Sequence, residues 1–224
     1  MLVSETFTSL QGEGILAGVP SFFVRMAGCN LRCTWCDTPY ASWRPEGRRT
    51  TVAEVVAQAR ASGCRHVVVT GGEPLLQREI GTLTAALCGA GHHVTVETAG
   101  TLAPELTCHL LSVSPKTANS DPAGAWRERH RLARADHGPL AELLARHPEH
   151  QVKFVVRDRG DLAEILALVE RLAIDRGRVL LMPEGATREE IAGRAAEVAR
   201  MCLDAGFRYS PRLHVDLFGG GRGV

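Results

Sequence analysis

Apolar and polar positions follow two alternating periods along most of the chain. Short runs rich in β-branched and aromatic residues, at 20–28, 66–70, 93–98, 110–114, 152–156 and 179–182, predict buried strands. Stretches with helical spacing lie between them. Thr51 and Glu54 form a capping box that opens a helix to about residue 62, ended by Gly63. Pro74 suits the entry to a helix over 75–90. Leu162, Ile165, Leu166, Val169 and Leu172 mark the apolar side of a helix over 162–174. A second capping box, Thr187 with Glu190, opens a helix to about residue 205. Extended segments are expected at 2–7 and 208–218, and the glycine-rich residues 219–224 are flexible by composition. Strand and helix alternate, which predicts an α/β fold, a parallel sheet with outer helices. About six strands fit an incomplete (β/α)6-type barrel better than a closed eight-stranded one. No repeat and no linker divides the chain. One domain over 1–224 is expected, with a variable insertion around 117–150. That insertion carries Asn, Asp, Pro and Gly, then an Arg/His-rich run with His130, His137, His147 and His150. A solvated loop and helix is expected there, rather than a metal or RNA site.

In such barrels ligands sit at the carboxyl ends of the strands, and the loops expected there carry the chain's chemistry. The first is Cys29-Asn30-Leu31-Arg32-Cys33-Thr34-Trp35-Cys36, with three cysteines spaced C-x3-C-x2-C. Thiolates suit iron–sulfur clusters, zinc or copper(I). A complete four-iron cluster normally takes four cysteines. Three leave one iron open to a substrate or cofactor. A structural zinc site would want a fourth Cys or His, and Asp37-Thr38-Pro39-Tyr40 supplies neither. Thr38 is a turn residue or a hydroxyl ligand for Mg2+, which keeps several waters and needs few protein donors. The second loop is Gly71-Gly72-Glu73-Pro74, where two glycines let backbone groups reach a ligand. Glu97-Thr98-Ala99-Gly100, Ser114-Pro115-Lys116 and Met182-Pro183-Glu184-Gly185 follow later strands on the same face. Lys116 neutralises a carboxylate, meets a ribose hydroxyl, or is simply solvated.

Two further positions stand out. Arg25 interrupts an apolar run and needs a partner, either a ligand carboxylate or an internal Asp or Glu. Glu13, between Gly12 and Gly14, is either a solvated turn residue or an acceptor for the N–H/NH2 edge of a guanine-like or pterin ring.

Composition narrows the class. The 224 residues are 45% apolar with a formal net charge of +1, which suggests neither bulk nucleic-acid binding nor a membrane surface. Seven cysteines in a chain of this size argue against a disulfide scaffold and for a reducing cytosol. The first residues lack the basic head and apolar core of a signal peptide, and no apolar run is long enough to span a bilayer.

The cysteine spacing, with Trp35 just before the last cysteine, resembles the radical S-adenosylmethionine (SAM) superfamily, in which GGEP holds the aminocarboxylate end of SAM. Leu10-Gln11-Gly12-Glu13-Gly14, Phe23-Val24-Arg25, Cys36-Asp37-Thr38, Thr70-Gly71-Gly72-Glu73-Pro74, Glu97-Thr98, Ser114-Pro115-Lys116 and Met182-Pro183-Glu184-Gly185 together resemble the 7-carboxy-7-deazaguanine synthase family of the queuosine pathway. These motifs spread across most of the chain in family order. The resemblance implies a radical-SAM barrel, a [4Fe-4S] cluster, SAM and Mg2+. It implies conversion of 6-carboxy-5,6,7,8-tetrahydropterin to 7-carboxy-7-deazaguanine with loss of ammonia, begun by hydrogen abstraction from C6. Carried over, Cys29, Cys33 and Cys36 ligate iron and Thr38 ligates Mg2+. Leu10, Gln11, Gly12, Arg25 and Thr70 contact substrate, with Arg25 on its carboxylate. Glu13 as a reader of the pterin edge is a separate expectation from its place between two glycines, not part of that carry-over. Trp35, Cys36, Asp37, Gly72, Ser114, Pro115 and Lys116 contact SAM. A flavodoxin or ferredoxin as electron donor, a homodimer and a cytoplasmic location are implied as well. Short family members end in a proline whose carboxylate lies near the substrate. This chain runs on to Gly223-Val224, so that contact is not carried over. A glycyl-radical activase shares the cysteine spacing but lacks the QGEG and Arg25 elements, and a zinc-binding module would be colourless.

Overall fold

A computed structural model describes residues 1–223; Val224, the last residue of the glycine-rich end, lies outside the described residues. The strands are β1 (Leu2–Leu10), β2 (Pro20–Met26), β3 (Arg48–Arg49), β4 (His66–Gly71), β5 (His93–Thr98), β6 (Leu110–Val113), β7 (His150–Val156), β8 (Val179–Pro183) and β9 (Arg208–Tyr209). They form one sheet in the order β3-β1-β2-β4-β5-β6-β7-β8-β9. From β2 to β9 every neighbour is parallel; β1 is antiparallel to both β2 and β3. The sheet ends at β3 and β9 without closing, as expected for an incomplete barrel.

The helices are α1 (Pro39–Ser42), α2 (Val52–Ala61), α3 (Ile80–Gly89), α4 (Arg127–Ala135), α5 (Gly138–Arg146), α6 (Leu162–Arg171), α7 (Arg188–Ala205) and α8 (Leu213–Phe218). Both capping boxes form, Thr51 with Glu54 on α2 and Thr187 with Glu190 on α7. Such a cap contributes about 1 kcal/mol.

Three expectations need correction. The helix placed at 75–90 begins only at Ile80, after a 3-10 turn at Pro74–Leu76. Gln77 is extended (φ −76°, ψ 121°) because its side chain serves the backbone elsewhere, donating to Ala27 O at 3.0 Å and accepting from Leu2 N at 3.0 Å. The segment 208–218 is a two-residue strand followed by helix α8. The insertion at 117–150 is not merely solvated. It supplies α4 and α5, with His130, Leu140 and Leu143 buried.

Strand alternation decides what the inside of the sheet can do. Val67, Val69, Val94, Val96, Val152 and Phe154 face the helices and join Val55, Leu83, Leu87, Ile165 and Met201 in one apolar cluster. Burying each such leucine or isoleucine contributes about 2 kcal/mol. The intervening residues point the other way, and beside Phe23 and Val155 they include Arg25, Thr70, Glu97, Ser112, Gln151 and Lys153. In register, Arg25 lies beside Thr70, Glu97 beside Ser112, and Ser112 beside Gln151. A polar band therefore crosses the concave face of the sheet.

Candidate functional site

Arg25, Thr70, Glu97, Ser112 and Lys153 of that band line a cavity of about 490 Å³, within the range of small-molecule sites. Cys29, Cys33 and Cys36 line the same cavity from the loop after β2. Every residue expected at the site lines it except Pro115, which is buried behind Ser114 and Lys116.

The cysteine loop is held from three sides. Glu73 of GGEP donates its N–H to Gly28 O at 2.8 Å. The Glu73 carboxylate is fully buried, accepting from Leu75 N (3.0 Å), Thr98 Oγ1 (2.8 Å) and Ala99 N (2.8 Å). It therefore ties the GGEP loop to the loop after β5. Gly72 packs against the loop itself: an added Cβ would lie 2.3 Å from Gly28 O and 3.0 Å from the Cys29 Cβ. Gly72→Ala is accordingly expected to push Cys29 away and lower the iron bound after reconstitution. Iron analysis and the visible absorption checks this.

The third support comes from the insertion. Thr34 N donates to Ser120 O at 3.0 Å, and Trp35 Nε1 to Asn119 O at 3.1 Å. Arg32 N donates to His130 Nδ1 at 3.0 Å, which leaves the His130 proton on Nε2, 2.9 Å from Ser120 Oγ. The Ser120 hydroxyl donates onward to Thr117 O at 2.6 Å. In the sequence His130 stands out only as one member of an Arg/His-rich run, and Ser120 carries no signal.

Burial pushes the Cys29 thiol up to about 11 and the Cys33 thiol to about 12. A buried thiolate is costly without a cation, and bound iron supplies one. Among the described residues no three His, Cys, Asp or Glu side chains converge closely enough for a single metal ion. The three thiols on one cavity wall fit an iron–sulfur group.

Across the cavity the polar side chains are engaged with one another. Arg25 Nε donates to Glu5 Oε1 at 2.7 Å, and Tyr40 donates to the same oxygen at 2.7 Å. The internal partner of Arg25 is thus Glu5. Among the described residues its two terminal nitrogens have no hydrogen-bond partner, and they remain available to a ligand carboxylate. Glu97 accepts from Gln11 Nε2 and from Thr70 Oγ1, each at 2.9 Å. Lys116 Nζ donates to Ser114 O and Oγ at 2.8 Å and lies 5.7 Å from the Trp35 ring centroid, so it is not a free surface lysine. The Thr38 side chain caps nothing at the start of α1 and lines the cavity.

Glu13 is neither solvated nor free. Its carboxylate pairs with Lys153, and with Arg212 Nε at 3.2 Å. Arg212 also donates to Gly185 O and to the Asp37 carboxylate. Burial opposes the charge on Glu13, yet Lys153, Arg212 and His214 hold its carboxyl far below the usual range. Burial likewise opposes the charge on Lys153, and Glu13 with Glu97 raises its pKa above the ordinary lysine value. Lys153 was legible in principle as a charge in a buried strand, the same misfit as Arg25. Arg212 lies in no motif and in a segment expected to be extended.

The profile of the Radical SAM superfamily matches residues 23–172. The 7-carboxy-7-deazaguanine synthase of Rhodopirellula baltica is 43% identical over all of this chain and 89% of its own. That of Halobacterium salinarum is 43% identical over 96% of this chain and 90% of its own. The chain belongs to the 7-carboxy-7-deazaguanine synthase family. The crystal structure of QueE from Escherichia coli superposes with a TM-score of 0.71 at 25% identity, covering 95% of this chain and 94% of that one. A radical-SAM enzyme of this family requires a [4Fe-4S] cluster and SAM. Among the described residues no helix is long and apolar enough to cross a membrane.

Proposed function

We propose that this protein converts 6-carboxy-5,6,7,8-tetrahydropterin to 7-carboxy-7-deazaguanine with release of ammonia, acting as a single domain. One observation carries the reading. The three cysteines and the polar band from Gln11 to Lys153 share one cavity.

When bound, the reduced cluster and SAM supply a 5′-deoxyadenosyl radical at the cavity wall. Cys29, Cys33 and Cys36 would hold the cluster and leave one iron free for SAM. In this reading Gly72, Trp35, Asp37, Ser114 and Lys116 contact SAM, with Pro115 between the last two. Arg25 presents its terminal nitrogens to the substrate carboxylate, a match a guanidinium fork makes well. Leu10, Gln11, Gly12 and Thr70 bound the substrate on the opposite side, where Glu97 fixes the Gln11 and Thr70 side chains. Glu13 keeps lone pairs beyond those used by Lys153 and Arg212, and reads the pterin N–H/NH2 edge with them. Thr38 offers its hydroxyl to Mg2+ near that carboxylate. The reading includes a flavodoxin or ferredoxin as reductant, a homodimer and a cytoplasmic setting.

The test is anaerobic reconstitution with iron and sulfide, then SAM, dithionite, Mg2+ and 6-carboxytetrahydropterin. A product of the mass of 7-carboxy-7-deazaguanine is expected. Deoxyadenosine without that product would send the chemistry to another substrate, and a colourless zinc protein would overturn the reading of the cysteine loop.

A further inference from the structure

A long arginine side chain is costly to immobilise when a ligand binds. Strand pairing shows how this chain fixes Arg25 in advance. Val3 of β1 lies opposite Met26 of β2, but Glu5 lies opposite Arg25, so β1 carries one extra residue between them. In an unshifted register Ser4 would face Arg25. Bulges of this kind re-aim side chains beside functional sites. Directly opposite residues share a face of the sheet. The shift therefore sets Glu5 beside Arg25 and Phe7 beside Phe23, whose rings stack at 4.9 Å. The Arg25 guanidinium lies 5.4 Å from the Phe7 ring centroid.

Glu5 is itself held. Its Oε1 accepts from both Arg25 Nε and the Tyr40 hydroxyl, each at 2.7 Å. Tyr40 stands on α1, just after the cysteine loop, and lines the cavity with Arg25, Phe7 and Phe23. Burial pushes the Tyr40 phenol up to about 12, so its hydroxyl stays a donor at neutral pH. Arg222 lies over the Tyr40 ring, 3.8 Å from its centroid, and pairs with Glu46 at 2.9 Å. The side chains of Arg25 and Glu5 are only 15% and 18% exposed. A pair built for stability alone gains most from the bidentate fork. Here one carboxylate oxygen takes Nε and leaves the terminal nitrogens to the cavity.

We propose that Glu5 and Tyr40 are positioning residues for the substrate carboxylate: Glu5 orients Arg25 through Nε, and Tyr40 orients Glu5. The inference rests on the reading of Arg25 as the group that holds that carboxylate. It adds what makes the site selective for a carboxylated ring. An arginine aimed beforehand binds a carboxylate without first paying to order its own side chain. Loss of the Tyr40 hydroxyl leaves Glu5 free to turn, and Arg25 with it.

The test is calorimetric binding of 6-carboxypterin and of pterin to the full reconstituted protein with SAM. 6-Carboxypterin has no hydrogen on C6, so it binds without reacting. The wild type is expected to favour 6-carboxypterin. Tyr40→Phe is expected to lower that affinity about 5-fold, the effect of one hydrogen bond, and to leave pterin binding unchanged. KM for 6-carboxytetrahydropterin should rise by the same factor, with kcat within about twofold of the wild type. In a Glu5→Ala background the same exchange should change neither ligand's affinity, because Tyr40 acts through Glu5. Equal loss of both ligands is the mark of a merely structural role and overturns the proposal. So does an unchanged 6-carboxypterin affinity, or a full effect of Tyr40→Phe in the Glu5→Ala background. A wild type that binds the two pterins alike refutes the role of Arg25 and this proposal with it. A wild type that favours 6-carboxypterin but yields no deazaguanine refutes the reaction alone, and the binding data still decide the role of Tyr40.

Discussion

Cys33→Ala is expected to give a folded, colourless protein that makes no deazapurine. Cys33 is 8% exposed and packs in the loop between β2 and α1. Replacing a small buried thiol by Ala costs about 1 kcal/mol. The loop's other anchors, to Glu73, Ser120 and His130, do not use the sulfur. Stability should therefore change little while iron binding is lost, since two thiolates cannot replace three. Iron and sulfide content, the visible spectrum and a melting curve separate the two effects. A brown variant that still forms product would remove Cys33 from the ligand set.

Glu13→Gln should be the most destabilising single change at the site. The substitution is nearly isosteric, so any effect is electrostatic. It leaves Lys153, 4% exposed, and Arg212, 6% exposed, without their shared carboxylate. Breaking a buried pair in this way costs about 3 kcal/mol, which for a chain of this size lowers Tm by roughly 6–12 °C. Adding Lys153→Met should recover at least half of that loss, because the stranded charge goes with it. An unchanged Tm for Glu13→Gln would show that Glu97 and Asp37 suffice as partners.

The same pair sets two limits in pH. The Glu13 carboxyl is lowered on folding. Its contribution is present above the unfolded value of about 4.3 and lost as pH falls toward the folded one. Lys153 is raised on folding. Its contribution is full below the unfolded value of about 10.4 and lost as pH rises through the folded one. Thermal melts of the wild type should fall away on both sides, and Glu13→Gln should flatten the acid side.

The strands, capping boxes and cysteine loop were legible because each is a local pattern. Alternation marks a strand wherever it is folded, and a capping box closes within four residues. The three cysteines sit within eight residues, so their joint role needed no knowledge of the fold. The helix at 75–90 failed because Gln77 is bound by Leu2 and Ala27, residues far away in sequence. The segment after β9 failed because its helix is set by Arg212 reaching Glu13 and Asp37, 199 and 175 residues away.

The chemistry this protein can carry is written in its residues: three thiols, a glycine-lined loop beside them, and charged residues in otherwise apolar strands. Tertiary structure alone decided which charges face one another. It gave Glu5 to Arg25, Lys153 and Arg212 to Glu13, and His130 to the cysteine loop. The physical reason is that a buried ion or amide must be satisfied by whatever the fold brings within about 3 Å. That distance is a property of the packed sheet and its insertion, and no local pattern in the chain encodes it.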